Sequence, residues 1–161
     1  MTDDAAGLRV RQYVYFALKS ESVPVTAMIA RLGAEPDRRS VRGARRAEPP
    51  LPVCHLWIVE CRTPGLRLDE QISRVLDRVR PLAGELRGLV ATGEVRAVLQ
   101  AVRYHDADDG EPETHEPVTT GDGRVLEAMA GQHQLLGWHL AAADLAFLAS
   151  VPADLDVDEY S

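Results

Sequence analysis

A chain of 161 residues, 45% hydrophobic and 27% charged, has the size and composition of one globular domain able to bury a core. Its formal net charge of −7 argues against nucleic-acid binding, which needs a broad basic field. No run approaches the roughly 18 apolar residues of a membrane helix, and the start MTDDAAGLRV lacks a charged-then-apolar leader, so the expectation is a cytoplasmic protein with no membrane partner.

Residues 8–19, LRVRQYVYFALK, set Val10, Val14, Phe16 and Leu18 in period two against Tyr13, Tyr15 and Ala17, which predicts a strand. VPVTAMIARLGAEPD follows as a helix. Pro24 suits its first turn, Met28, Ile29 and Leu32 mark its apolar face, and Gly33 supplies the stop. PDRRSVRGARR, residues 36–46, then places five arginines in the nine positions from Arg38 to Arg46, and its Pro36 and Gly43 argue for a loop.

VCHLWIVEC reads as the second strand. Its cysteines, Cys54 and Cys61, are seven positions apart, about 23 Å along an extended chain. A disulfide needs Cα atoms within roughly 7 Å, so the two read as small buried hydrophobes.

The clearest helix begins near Asp69. Leu68, Ile72, Val75, Leu76 and Val79 share one face, with Arg74, Asp77, Arg78 and Arg80 on the other. Pro81 lacks a backbone donor and predicts a kink or break, after which Leu82, Leu86, Leu89 and Val90 resume the pattern. EVRAVLQAVRY predicts a third strand, HQLLGWHL a fourth, AAADLAFLASV a short helix and DLDVDEY a last strand. The expected architecture is a single α+β domain over residues 1–161: a mostly antiparallel sheet with helices packed on one face, a ferredoxin-like variant. Residues 105–131 are expected to form an acidic loop or insertion.

Motifs for chemistry are sparse. The chain has no Gly-x-Ser-x-Gly elbow, no phosphate-binding loop and no His-Glu-x-x-His pair, so the reading leans away from an enzyme and implies no cofactor. DADDGE, from Asp106, imitates a calcium loop but places its glycine one position early and lacks the terminal glutamate. His133 and His139 would lie about 20 Å apart on one strand face, too far to share a metal. No metal is expected.

YFALKSESVPVTAMIARLGAEPD, with Gly33 and Pro36 in a helix-Gly-x-x-Pro pattern, is followed by Gly43, an aromatic strand around Trp57 and a long helix. Together with the ending LAAADLAFLASVPADLDVDEY, with its Asp158 and Tyr160, this resembles the bacterial domain-of-unknown-function family numbered 4279. The likeness runs from residue 12 to 160, with residues 105–131 the least comparable part. It implies an α+β domain found alone in bacterial proteins and transfers no catalytic residue. The dense arginine cluster departs from the plain polar loop usual in that family.

Two charge clusters are the candidate binding residues. Arg38, Arg39, Arg42, Arg45 and Arg46 carry +5, leaving −12 on the rest of the chain, and are suited to an anionic small molecule. Asp154, Asp156 and Asp158 alternate with Leu155 and Val157, so a strand would line them along one face. Such a stripe can guard a sheet edge against pairing or meet a basic protein. The functional expectation is a non-catalytic binding, immunity or accessory protein acting on a cationic protein partner. Its alternative is a small-molecule-binding domain or enzyme with a pocket on the sheet face and the arginine segment as anion contact.

Overall fold

The computed structural model describes residues 7–114, 118–126 and 134–161. Strand β1 (Arg9–Ser20) forms the middle of a mixed sheet with the order β2-β3-β1-β4-β8. Here β2 is Arg38–Ser40, β3 is His55–Cys61, β4 is Arg96–His105 and β8 is Ala153–Tyr160. A two-residue strand, β5 (Glu111–Pro112), also pairs with β1. A separate hairpin joins β6 (Val118–Thr119) to β7 (Val125–Leu126).

The expected α+β class and mostly antiparallel sheet are what the chain forms, with one parallel pair. β3 and β4 both run antiparallel to β1, and β8 runs parallel to β4. β3 and β4 are therefore parallel to each other with β1 between them, and a helical connection crosses from one to the other. This is the split βαβ arrangement of ferredoxin-like sheets.

The helices are α1 (Val25–Leu32), α2 (Leu68–Val79), α3 (Ala83–Val90) and α4 (Ala142–Ser150). Gly33 closes α1 at φ 62°, a left-handed conformation that glycine adopts without a Cβ clash. A 3-10 turn over Arg80–Leu82 separates α2 from α3, at the break that Pro81 imposes. No helix among the described residues is long and apolar enough to cross a membrane.

Period two in the strands and the helical stripe in α2 meet in one core. Val14, Phe16 and Leu18 of β1, Trp57 and Val59 of β3 and Leu99 of β4 face the helices. Against them pack Met28 of α1, Ile72, Leu76 and Val79 of α2, Leu86 of α3 and Phe147 of α4. Each such side chain contributes roughly 1.5–3 kcal/mol by leaving water, before its lost rotamer freedom is subtracted. Among the described residues, all the helices lie on this side, and the other sheet face carries no helical layer. There Ala17, Ile58 and Val98 are buried beside half-buried Tyr15 and Leu56, and Gln100 and Val102 of β4 are buried next to β8.

Two local expectations are corrected. Arg38–Ser40 is strand rather than loop, because those three residues pair with Leu56, Trp57 and Ile58 along the β3 edge. HQLLGWHL forms no strand over its described residues, Gln134–Leu140. The carbonyls of Leu135 and Leu136 accept hydrogen bonds from the Arg103 guanidinium instead, both at 3.1 Å. His133 lies outside the described residues. His139 is not on a strand, and its Nδ1 sits 3.0 Å from the Asp69 carboxylate.

Candidate functional site on the open sheet face

Strand order becomes charge order across the uncovered face. At the β2 edge, Lys19, Arg38, Arg39 and Arg45 border an open concavity of about 400 Å³ together with Tyr15 and Cys54. Arg38 is 3.3 Å from the Glu60 carboxylate. The segment after β2 folds back on itself, with the Arg45 amide donating to the Leu51 carbonyl at 2.8 Å and the Leu51 amide to the Arg46 carbonyl at 2.8 Å. Arg42 donates through Nε to the Val53 carbonyl at 3.0 Å, and Arg46 through Nε to the Pro49 carbonyl at 3.1 Å. The arginines thus split between a sheet edge, backbone contacts and the concavity.

At the opposite edge, β8 carries Asp154, Asp156 and Asp158 in register with Val98, Gln100 and Val102. Asp154 pairs with Arg96 at 2.9 Å, and Asp158 accepts a bond from Gln100 Nε2 at 3.0 Å. Lys19, Arg96, Asp154 and Asp156 border a second open concavity of about 430 Å³. Three strands, β3, β1 and β4, separate the arginine edge from the carboxylate edge, so the two predicted clusters do not form one site.

Tyrosines occupy the ground between. Tyr13 and Tyr15 stack with ring centroids 6.4 Å apart, and Tyr104 and Tyr160 at 4.9 Å. The Arg62 guanidinium lies 3.9 Å above the Tyr13 ring and that of Arg11 4.2 Å above Tyr104, within cation–π range. Burial, then the neighbouring Tyr13, push the Tyr15 hydroxyl above its ordinary pKa. The Asp158 carboxylate does the same to Tyr160. Both rings stay neutral at physiological pH and act as apolar platforms with polar rims.

A buried polar network beneath one end of this face was not read from the sequence. Gln12 of β1 and Arg103 of β4 are cross-strand partners facing the helices, at 8% and 4% exposure. Arg103 donates through Nε to Gln12 Oε1 at 3.1 Å, through its two terminal nitrogens to Glu159 and to the Leu135 and Leu136 carbonyls. Gln12 Nε2 donates in turn to the Leu66 carbonyl at 3.1 Å, and Gln71 Nε2 of α2 to the Gln12 carbonyl at 3.2 Å. The signal was available: each of the three is a polar residue at a position where the apolar period demands an inward side chain.

Among the described residues, no group of three or more His, Cys, Asp or Glu side chains is placed to hold a metal ion. Asp109 of the acidic stretch instead pairs with Arg11 at 2.8 Å, and His105 approaches Glu159 at 3.7 Å.

The family model for a domain of unknown function, DUF4279, matches residues 10–131, and the chain belongs to that family. The matched range includes residues 105–131, read from the sequence as the least comparable part, and stops before the ending that holds Asp158 and Tyr160. No curated protein and no solved structure matches the chain.

Proposed function

We propose that this chain is a non-catalytic binding protein, an accessory or immunity-type factor, whose β8 edge receives a cationic protein partner. The observation that carries this reading is the placement of Asp154, Asp156 and Asp158 on the helix-free face of a strand at the edge of the sheet. An edge strand has one row of backbone donors and acceptors outside the sheet ladder, and a carboxylate row beside it attracts a basic surface from a distance. A cytoplasmic setting fits the two free thiols, Cys54 and Cys61. Affinity purification at two salt concentrations, with mass spectrometry, tests the reading. A stoichiometric basic partner, lost at high salt and lost when Asp154, Asp156 and Asp158 are all replaced by Asn, is the expected result. Recovery of no partner, or of one indifferent to the triple substitution, overturns it.

A second reading is favoured by the β2 edge. Lys19, Arg38, Arg39 and Arg45 around one concavity suit an anionic small molecule. Thermal-shift screening with phosphates, nucleotides and acidic metabolites should then find a stabilising ligand whose effect disappears in Arg38→Gln/Arg45→Gln. A screen without such a ligand removes this reading and leaves the first untouched.

A further inference from the structure

β8 is a long edge with nothing beyond it. It pairs with β4 from Ala97–Ala153 to Tyr104–Tyr160 without a break in register, so it holds no bulge. Its outward amides and carbonyls have no hydrogen-bond partner among the described residues. The other end of the sheet differs, because β2 is three residues long. Edge strands are ordinarily kept from adding a further strand by shortness, a bulge, proline or charge. ADLDVDEY is eight residues long and has no proline, which leaves charge as its guard.

That guard is selective. Asp154, Asp156 and Asp158 share the open face with Val98, Gln100 and Val102, whereas Leu155 and Val157 align with Leu99 and Ala101 of the helix-side core. A second β8 added antiparallel would keep the two faces matched and set carboxylate against carboxylate, which is destabilising. A strand with lysine or arginine at alternate positions meets opposite charge at the same places.

The carboxylates are able to receive it. Asp156 is exposed, and its side chain has no hydrogen-bond or ion-pair partner among the described residues. Asp154 and Asp158 each use one oxygen, on Arg96 and Gln100, and a carboxylate accepts through both. On the other face Leu155 keeps 40% exposure, an apolar surface that the intervening residues of an added strand would cover.

We propose that β8 is an acceptor edge for strand addition. It takes an extended, antiparallel segment of a partner protein in which lysine or arginine alternates with valine, isoleucine or leucine. The backbone ladder supplies the contact, the basic residues face the three aspartates, and the apolar ones continue the layer of Leu155 and Val157. The proposal rests on the reading of β8 as the docking edge and deepens it, since the cationic partner is then a strand rather than a basic surface.

The probe is the heptapeptide acetyl-Thr-Val-Lys-Val-Lys-Val-Lys-amide, titrated into the isotope-labelled full chain at low salt and followed by amide NMR. Saturable shifts confined to β8 and its β4 neighbours are expected, with a Kd below about 1 mM. At about 90% saturation, alternate β8 amides, those pointing away from β4, should exchange with solvent about tenfold more slowly. Acetyl-Thr-Lys-Lys-Lys-Val-Val-Val-amide has the same composition and charge without the alternation, and should bind at least about tenfold more weakly. Asp156→Lys should weaken the first peptide as much, and leaves the spectrum outside β8 intact because that side chain is exposed and unpartnered. Equal binding of the two peptides, or shifts without slowed exchange, overturns strand addition and leaves the broader cationic-partner reading standing. Absence of saturation up to about 5 mM also overturns it, as do β8 shifts that grow with concentration of the peptide-free chain, the mark of a second copy at the edge.

Discussion

Both terminal nitrogens of Arg78 meet the two carboxylate oxygens of Asp37 at 2.7 Å, tying the chain just ahead of β2 to the exposed side of α2. Asp37 also accepts from the Glu60 amide at 2.8 Å, and its own amide donates to the Ile58 carbonyl at 2.8 Å. One carboxylate therefore joins the β2 approach, β3 and α2.

The hydrogen-bonded Arg78 guanidinium, followed by the Glu60 amide, holds the Asp37 carboxyl below its ordinary pKa against the opposing effect of burial. A depressed folded-state value means that the contribution is complete above the unfolded value of about 3.9 and fades as pH falls through the lower folded value. Asp37→Asn should cost about 1–2 kcal/mol at pH 7, held to that range because both partners are partly exposed. Urea midpoints of the two proteins should differ at pH 7 and converge below pH ~4. A gap that stays constant across that window would contradict the role.

Arg103 is the converse case, a guanidinium with 5% of its side chain exposed and one carboxylate, Glu159, at 3.0 Å. Arg103→Met removes the donors to Gln12 Oε1 and the Leu136 carbonyl and the closer of the two donors to the Leu135 carbonyl, stranding buried acceptors. The expected loss is at least about 3 kcal/mol by chemical denaturation. Proteolysis should quicken first near Leu135 and Leu136, because that segment is held by side-chain donors rather than by a strand ladder.

Burial also raises the Cys54 thiol pKa, and Cys61 is buried among the helices. Neither is thereby a ready nucleophile at neutral pH. Alkylation by iodoacetamide at pH 7 should be slower at Cys54 than at a free model thiol, and both sites should react quickly once urea unfolds the chain. Rapid labelling of the native protein at pH 7 would mean that Cys54 lies in an environment of the opposite polarity.

Legibility followed the source of each element's stability. β1 and α2 declared themselves because alternating Val14, Phe16 and Leu18 and the stripe from Leu68 to Val79 record a single buried side. β2 did not, since three residues with two arginines become strand only through the neighbouring β3 backbone. The apolar run Leu135–Leu136 suggested a strand, yet its carbonyls are claimed by a cation encoded 32 and 33 positions earlier. Charge was legible as composition but not as arrangement. Nothing in the spacing of Arg38 and Asp154 says that three strands stand between them. Gln71 falls between Leu68 and Ile72 on the apolar stripe of α2, and a polar residue in that place was the available sign of the buried network it joins with Gln12.

The separation of Arg38, Arg39 and Arg45 from Asp154, Asp156 and Asp158 gives the sheet an electric moment running across its strands. An acidic protein built this way does not behave as a uniformly negative sphere. It has a front and a back to any charged surface, and should dock on a cation-exchange matrix by its β2 edge and on an anion-exchange matrix by its β8 edge. Adsorption would orient the molecule in opposite senses on the two supports, exposing the tyrosines of the same face at a different tilt each time.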